Sequence, residues 1–156
     1  MFRPLLSRMR PQVRRGRNES GASAVEFALV VMPLLTIVFG LVAYGYMLSF
    51  RQAISQGAAE GARAAAIWHV PYAVDQQGDR TAAAEAAATA ALKSYGVECG
   101  EGNTQCIVTF QPCAEGGGAT CAAVTISYPY ADEPLVPLPF VPFPEALQYT
   151  AETRAS

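Results

Sequence analysis

The sequence predicts an α+β protein: a long N-terminal transmembrane helix continuing as an external stalk, a second, alanine-rich helix, and a small antiparallel sheet of about three strands with disulfides. Three observations predict it. No residue from Phe27 to Phe50 is charged. The segment "RTAAAEAAATAALKSYG" is dense in the best helix former. Two β-branched, aromatic stretches, "CIVTFQ" and "AAVTISYPY", lie among four cysteines in the C-terminal half. At 156 residues the chain accommodates one modest domain plus an anchor.

The anchor comes first. A helix needs roughly 20 residues to cross a hydrocarbon core about 30 Å thick, and the charge-free run is longer than that. The charges around it are segregated. Residues 1–21 carry six arginines (Arg3, Arg8, Arg10, Arg14, Arg15, Arg17) against one acid, Glu19; from Ala22 onward five basic residues face twelve acids. The positive-inside rule therefore puts the N-terminus in the cytoplasm and everything after Arg51 outside. Attraction to anionic lipid, about 1 kcal/mol per basic residue near the surface, acts in the same direction. A nucleic-acid-binding arm is the other reading of an arginine-rich start, but such an arm does not normally abut an apolar helix. A secretory signal fits poorly, because its apolar region would span only about 7 to 15 residues and a small-x-small site would follow. Pro33 is tolerable inside a membrane helix, where neighbouring groups satisfy the carbonyl it frees.

The resulting division is a basic leader at 1–21, a transmembrane helix at 22–50, a helical stalk at 51–70 and an extracytoplasmic α+β domain at 71–156. Within that domain, residues 129–145 form a proline-rich loop with six prolines, a density that neither a helix nor a central strand tolerates. Its apolar residues Leu135, Leu138, Phe140, Val141 and Phe143 either cover the sheet or face a partner or the membrane surface.

In the stalk, Ser49, Ala53, Gly57, Gly61 and Ala65 recur every fourth residue. A glycine inside a helix costs about 1 kcal/mol relative to alanine, so Gly57 and Gly61 imply close approach of another backbone, with Ala65 on the same ridge. The alanine-rich second helix is one candidate for that approach, as an antiparallel neighbour. Asp79 or Thr81 is expected to cap its start and Gly96 to stop it. "LQYTAETR" alternates well enough to be a third strand.

Cys99, Cys106, Cys113 and Cys121 all fall on the outer side, where an even count favours two disulfides. The intervals lack the C-x-x-C spacing of a zinc site, so no metal is expected. Of the three connectivities, Cys99 with Cys106 and Cys113 with Cys121 is preferred, because the second bond would clip the "AEGGGAT" loop between two strands; the spacing alone leaves the others open.

Little suggests chemistry. His69 is the one histidine, no nucleophile–base pair or phosphate loop appears, and the acids are dispersed. We expect no enzyme, no cofactor, no nucleic acid and no small-molecule substrate.

One carboxylate remains to be explained. Glu26 stands at the mouth of the apolar run, preceded by Gly21 and small residues. Since the charge-free span exceeds the required length, Glu26 need not lie deep in hydrocarbon, and an interfacial carboxylate near a helix start is favoured by about 0.3 to 1 kcal/mol. That explains neither Gly21 nor the intervening "ASAV". A carboxylate at the membrane is a functional candidate by default.

The stretch "G-ASAVEF" resembles the processing site of type IV pilin-like precursors. The continuation "FALVVMPLLTIVFGLVAYGYMLSFRQAISQGAAEGARAAA" and the later "VTISYPY" resemble the TadE-like family, minor pseudopilins of the tight-adherence (Flp-type) pilus system of bacteria. The similarity is strong from Gly21 to Ala66 and looser from Val124 to Arg154. It implies cleavage by a prepilin peptidase between Gly21 and Ala22, leaving Glu26 fifth and Phe27 sixth in the mature chain. It also implies residence in the bacterial inner membrane with the C-terminal domain in the periplasm, other pilins or pseudopilins as partners, and a role in pilus assembly for adhesion. The alternative is an unprocessed, single-pass anchored binding module.

Overall fold

The structure, a computed structural model, describes residues 19–67, 73–114, 118–137 and 142–155. The arginines of the leader, Trp68 and His69, and the loop residues Leu138, Phe140 and Val141 lie outside the described residues. The chain divides into two compact units, Met1–Ile37 and Val38–Ser156, linked through one helix, α1, which runs from Glu19 to Ala66.

In the first unit, α1 exposes its side chains almost throughout. Phe27 is 70% exposed, and Val25, Leu29, Val30 and Met32 are similarly open. A soluble monomer rarely leaves so continuous an apolar surface uncovered. The helix passes through Pro33 without interruption. The Thr36 hydroxyl donates to the Met32 carbonyl at 3.0 Å, a local bond that satisfies the hydroxyl without water. α1 is the one helix among the described residues long and apolar enough to cross a membrane, consistent with a single-pass anchor.

The second unit is built around the remainder of α1. Ala43, Met47, Phe50, Ile54, Ala58, Ala62 and Ala65 are buried at spacings of three and four, so one stripe of the helix faces the core. The helix ends at Ala66, within the stretch 51–70 expected to form the stalk. A short 3-10 turn, Val74–Gln76, then leads into α2, Gln77–Leu92. The expected caps are corrected here: α2 starts upstream of Asp79 and Thr81, its N-cap is Gln76, and no side chain caps it. The predicted stop holds. A further 3-10 turn, Lys93–Tyr95, ends at Gly96, whose positive φ of 70° lets its N–H reach the Lys93 carbonyl at 3.0 Å.

Three antiparallel strands complete the unit: β1 (Gln105–Pro112), β2 (Thr120–Tyr128) and β3 (Leu147–Arg154), in the order β1-β2-β3. Register pairs Val108 with Val124 and Val124 with Ala151, and Cys106 with Ile126. Central β2 is the most buried strand, as its run of Ala, Val and Ile requires, and Ala122, Val124, Ile126 and Tyr128 join the core. Pro112 sits at the end of an edge strand, where its missing N–H breaks no ladder. The opposite face is polar apart from the exposed Ile107, with Thr125 and Thr150 joined hydroxyl to hydroxyl at 2.8 Å across the β2–β3 pair.

Disulfides join Cys99 to Cys106 and Cys113 to Cys121, the pairing preferred from the sequence. The first ties the segment after α2 to β1; the second clips the β1–β2 hairpin, beside the Cys113 N–H bond to the Ala119 carbonyl at 3.0 Å. For loops this short the chain-entropy contribution is about 2 to 3 kcal/mol each.

Candidate functional site

The predicted small-residue ridge finds its partner within the chain. A Cβ added to Gly57 would lie 3.2 Å from Ile126 Cδ1 and 3.4 Å from the Ala88 carbonyl oxygen. One added to Gly61 would lie 3.1 Å from the Ala84 carbonyl oxygen and 3.3 Å from Val124 Cγ1. Ascending α1 thus meets descending α2, an antiparallel pair with β2 against the same two glycines. The buried positions of α2, Arg80, Ala84, Ala88 and Leu92, are each four apart, one side facing α1.

Ala65 is fully buried, and its carbonyl has a further task. Arg80, itself fully buried, donates from Nη1 to the Ala65 and Ala66 carbonyls at 3.0 and 3.1 Å. Those are among the last carbonyls of α1, which have no partner within the helix, and a cation at the negative end of the helix dipole is favoured there. Sequence reasoning missed Arg80. Its signal was present: it continues the four-residue spacing of Ala84, Ala88 and Leu92, so an arginine fell on the apolar face.

The "SYPY" tyrosines belong to an aromatic cluster on α1. Phe50, fully buried, meets Tyr128 edge-on with centroids 5.0 Å apart and Tyr95 at 5.1 Å. Tyr130 packs against Phe143 of the proline-rich loop at 5.4 Å, and Phe143 against Tyr44 at 6.0 Å. The Tyr128 hydroxyl donates to the Glu133 carbonyl at 2.8 Å. Burial, then the Glu133 charge, pushes the Tyr128 phenol above the ordinary tyrosine value; burial, then Tyr128 and Tyr46, does the same to Tyr130. A phenol whose proton is held more tightly in the folded than in the unfolded state stabilises the fold below the unfolded value of about 10, and that stabilisation is lost as pH rises through the folded value. The domain is therefore expected to unfold on the alkaline side above about pH 10, with phenolate absorbance and circular dichroism changing together. Phenolate appearing well before unfolding would contradict it.

Glycine usage separates two kinds of position. Gly57 and Gly61 are explained by packing, whereas a Cβ on Gly21 would meet nothing within 4 Å. Nothing in the described fold requires Gly21 to be glycine. Gly21 and Ala22 lie near the start of the described part of α1. Both are exposed, as are Glu26 and Phe27. Ala22 and Glu26 are four residues apart on one helix, so their side chains share a face. Among the described residues Glu26 makes no ion pair.

Among the described residues, the one gathering of three metal-ligand types is Cys113, Cys121 and Glu152, and the disulfide between the two cysteines removes the thiolates a metal would need.

These features define a class: an α+β domain, closed by two disulfides, whose core helix extends into an exposed apolar segment of membrane-crossing length. Residues 21–63 match the family described as TadE-like protein, in agreement with the resemblance carried by "G-ASAVEF" and "QGAAEGARAAA". The matched stretch holds both Gly21–Phe27 and the Gly57/Gly61 ridge. It supports a role related to the Tad pilus system and association with components of that system. No curated protein and no solved structure matches the chain.

Proposed function

We propose that this chain is a TadE-like minor pseudopilin, cut by a prepilin peptidase between Gly21 and Ala22 and acting in the assembly of tight-adherence (Flp-type) pili for surface adhesion. It is a substrate of an enzyme rather than an enzyme. Its N-terminus lies in the cytoplasm, α1 crosses the inner membrane, and the disulfide-bonded domain folds in the periplasm, an oxidising compartment that suits Cys99–Cys106 and Cys113–Cys121.

The observation that carries this reading is the match to the TadE-like family over residues 21–63, which begins at Gly21 and takes in Ala22, Glu26 and Phe27. Packing accounts for Gly57 and Gly61 but not for Gly21, Gly40, Gly45 or Gly78, and of these four only Gly21 stands in the stretch that resembles a processing site, where a protease reading the residue before its cut would require it. Cleavage there removes all six arginines of the leader and leaves an α-amine at Ala22, largely protonated near neutral pH. A cation at a helix N-terminus opposes the helix dipole, so it needs a counter-charge. Glu26, one turn on in the same chain or presented by a neighbouring subunit, is that counter-charge. Proteolysis thus creates one half of an assembly contact whose other half is encoded. The partners are other pilins or pseudopilins bearing the same pair of groups.

The test compares the size of the full chain in cells with and without the peptidase. The band is expected to shorten by the leader only when the peptidase is present. Identical bands in both would support the unprocessed binding module instead.

A further inference from the structure

We infer that the folded unit rests directly on the outer surface of the bilayer, with hydrocarbon ending at about Ala43 and the rings of Tyr44, Tyr46 and Phe143 in the headgroup layer of phospholipid. The inference rests on α1 being the membrane anchor and revises where that anchor leaves the lipid.

The charge-free run continues to Phe50, but the domain has already closed on α1 well before that residue. Ala43 is fully buried by protein. The Tyr44 hydroxyl donates to the Pro142 carbonyl at 2.7 Å, and its ring meets Phe143. The Tyr46 ring meets Tyr95, whose hydroxyl is 2.6 Å from the Ser49 hydroxyl. The segments making these contacts carry exposed carboxylates close by in sequence: Glu145 two residues after Phe143, and Glu98 three after Tyr95. Irregular backbone and ionised carboxylates do not sit among acyl chains. Hydrocarbon therefore cannot rise past the level at which Phe143 is seated on Tyr44.

Below that level the helix carries no charge down to Phe27, and its one hydroxyl, on Thr36, bonds to the Met32 carbonyl. Leu41 and Val42 are exposed among the described residues, at 70% and 58%. Tyrosine at the junction is what an interface selects, since its ring prefers the headgroup layer and its hydroxyl needs a polar partner. Arg51, five residues beyond Tyr46, forms no ion pair among the described residues. At about 1.5 Å per residue it lies some 7 to 8 Å further out, the depth of the headgroup layer. It lines a groove of about 330 Å³, open to solvent, with Leu48, Gln52, Ser55 and Tyr149.

The experiment places single cysteines at exposed positions of the full chain in membrane vesicles and treats them with a membrane-impermeant maleimide, without reductant, so that the four native cysteines stay paired. Val42→Cys is expected to label only after detergent is added, whereas Leu48→Cys and Gln52→Cys label at once. Protection of Leu48→Cys to the same degree as Val42→Cys would put the boundary near Phe50 and overturn the proposal. Prompt labelling of Val42→Cys alone would overturn it in the other direction. Prompt labelling extending to Leu29→Cys would remove the anchor itself, a failure distinct from either.

Discussion

Gly61→Leu is expected to leave α1 in the membrane but unfold the domain it carries. A Cβ at this position already lies 3.1 Å from the Ala84 carbonyl oxygen and 3.3 Å from Val124 Cγ1. The carbonyl is backbone within α2 and cannot turn aside; Val124 lies in the central strand, paired on both sides. Three further carbons must therefore push α2 off α1 or the sheet off both. Overpacking of this kind costs typically 1 to 3 kcal/mol where side chains can adjust, and we expect the upper end or beyond, since the obstacles are main chain and a paired strand. Moving α2 also draws Arg80 away from the Ala65 and Ala66 carbonyls, leaving a buried charge and two helix-end acceptors without each other. A net stability of about 5 to 15 kcal/mol is ordinary for a domain, so losses of this size are a large fraction of it. The measurement is resistance to protease in detergent together with recovery of the membrane-bound chain. A variant as resistant as the parent would show that the ridge is not the seam.

Glu26→Gln is expected to insert and to be processed, yet to abolish pilus assembly. Neutralising the side chain lowers the cost of placing it at the membrane, so anchoring does not suffer. If hydrocarbon ends near Ala43, a span of roughly 20 residues begins near Ala24 and takes in Glu26, which the sequence alone had left at the surface. With a glutamine at this position the Ala22 ammonium, at the edge of that span, has nothing to offset it. Removing one partner of a pair held away from water costs about 3 to 5 kcal/mol, enough to reduce subunit association more than a hundredfold. Surface filaments recovered by shearing are the readout, with membrane level of the protein as control. Filaments at the parent level would show that the carboxylate carries no assembly contact.

How much of this was legible depended on whether the physics was local. The strands announced themselves because β-branched and aromatic residues crowd into "CIVTFQ" and "AAVTISYPY", and β1 and β2 lie within a residue or two of those stretches. The stretch that resembles a processing site is local as well, with Gly21, Ala22, Glu26 and Phe27 falling within seven residues of one helix, but its reading came from the resemblance and awaits its test. Gly57 and Gly61 showed that some backbone approaches closely, but a four-residue spacing does not say whose; the answer came from α2 and β2. Arg80 drew no notice in the sequence, because its role depends on the last carbonyls of α1, fourteen and fifteen residues away. Asp79 looked like a cap because residues of its type cap helices, whereas the turn closed by the Gln76 N–H on the Ala73 carbonyl at 3.1 Å had already started the helix. The most instructive case is Ala43 to Phe50. An apolar run reads the same whether lipid or protein covers it, and only the seating of Phe143 and Tyr95 on α1 tells the two apart.

The account stands on proteolysis making the positive charge that Glu26 answers, and the N-terminal residue of the protein purified from its native membrane reads this out most directly. Sequencing is predicted to begin at Ala22, with every leader arginine gone. A functional, pilus-competent protein that still begins at Met1 would contradict it.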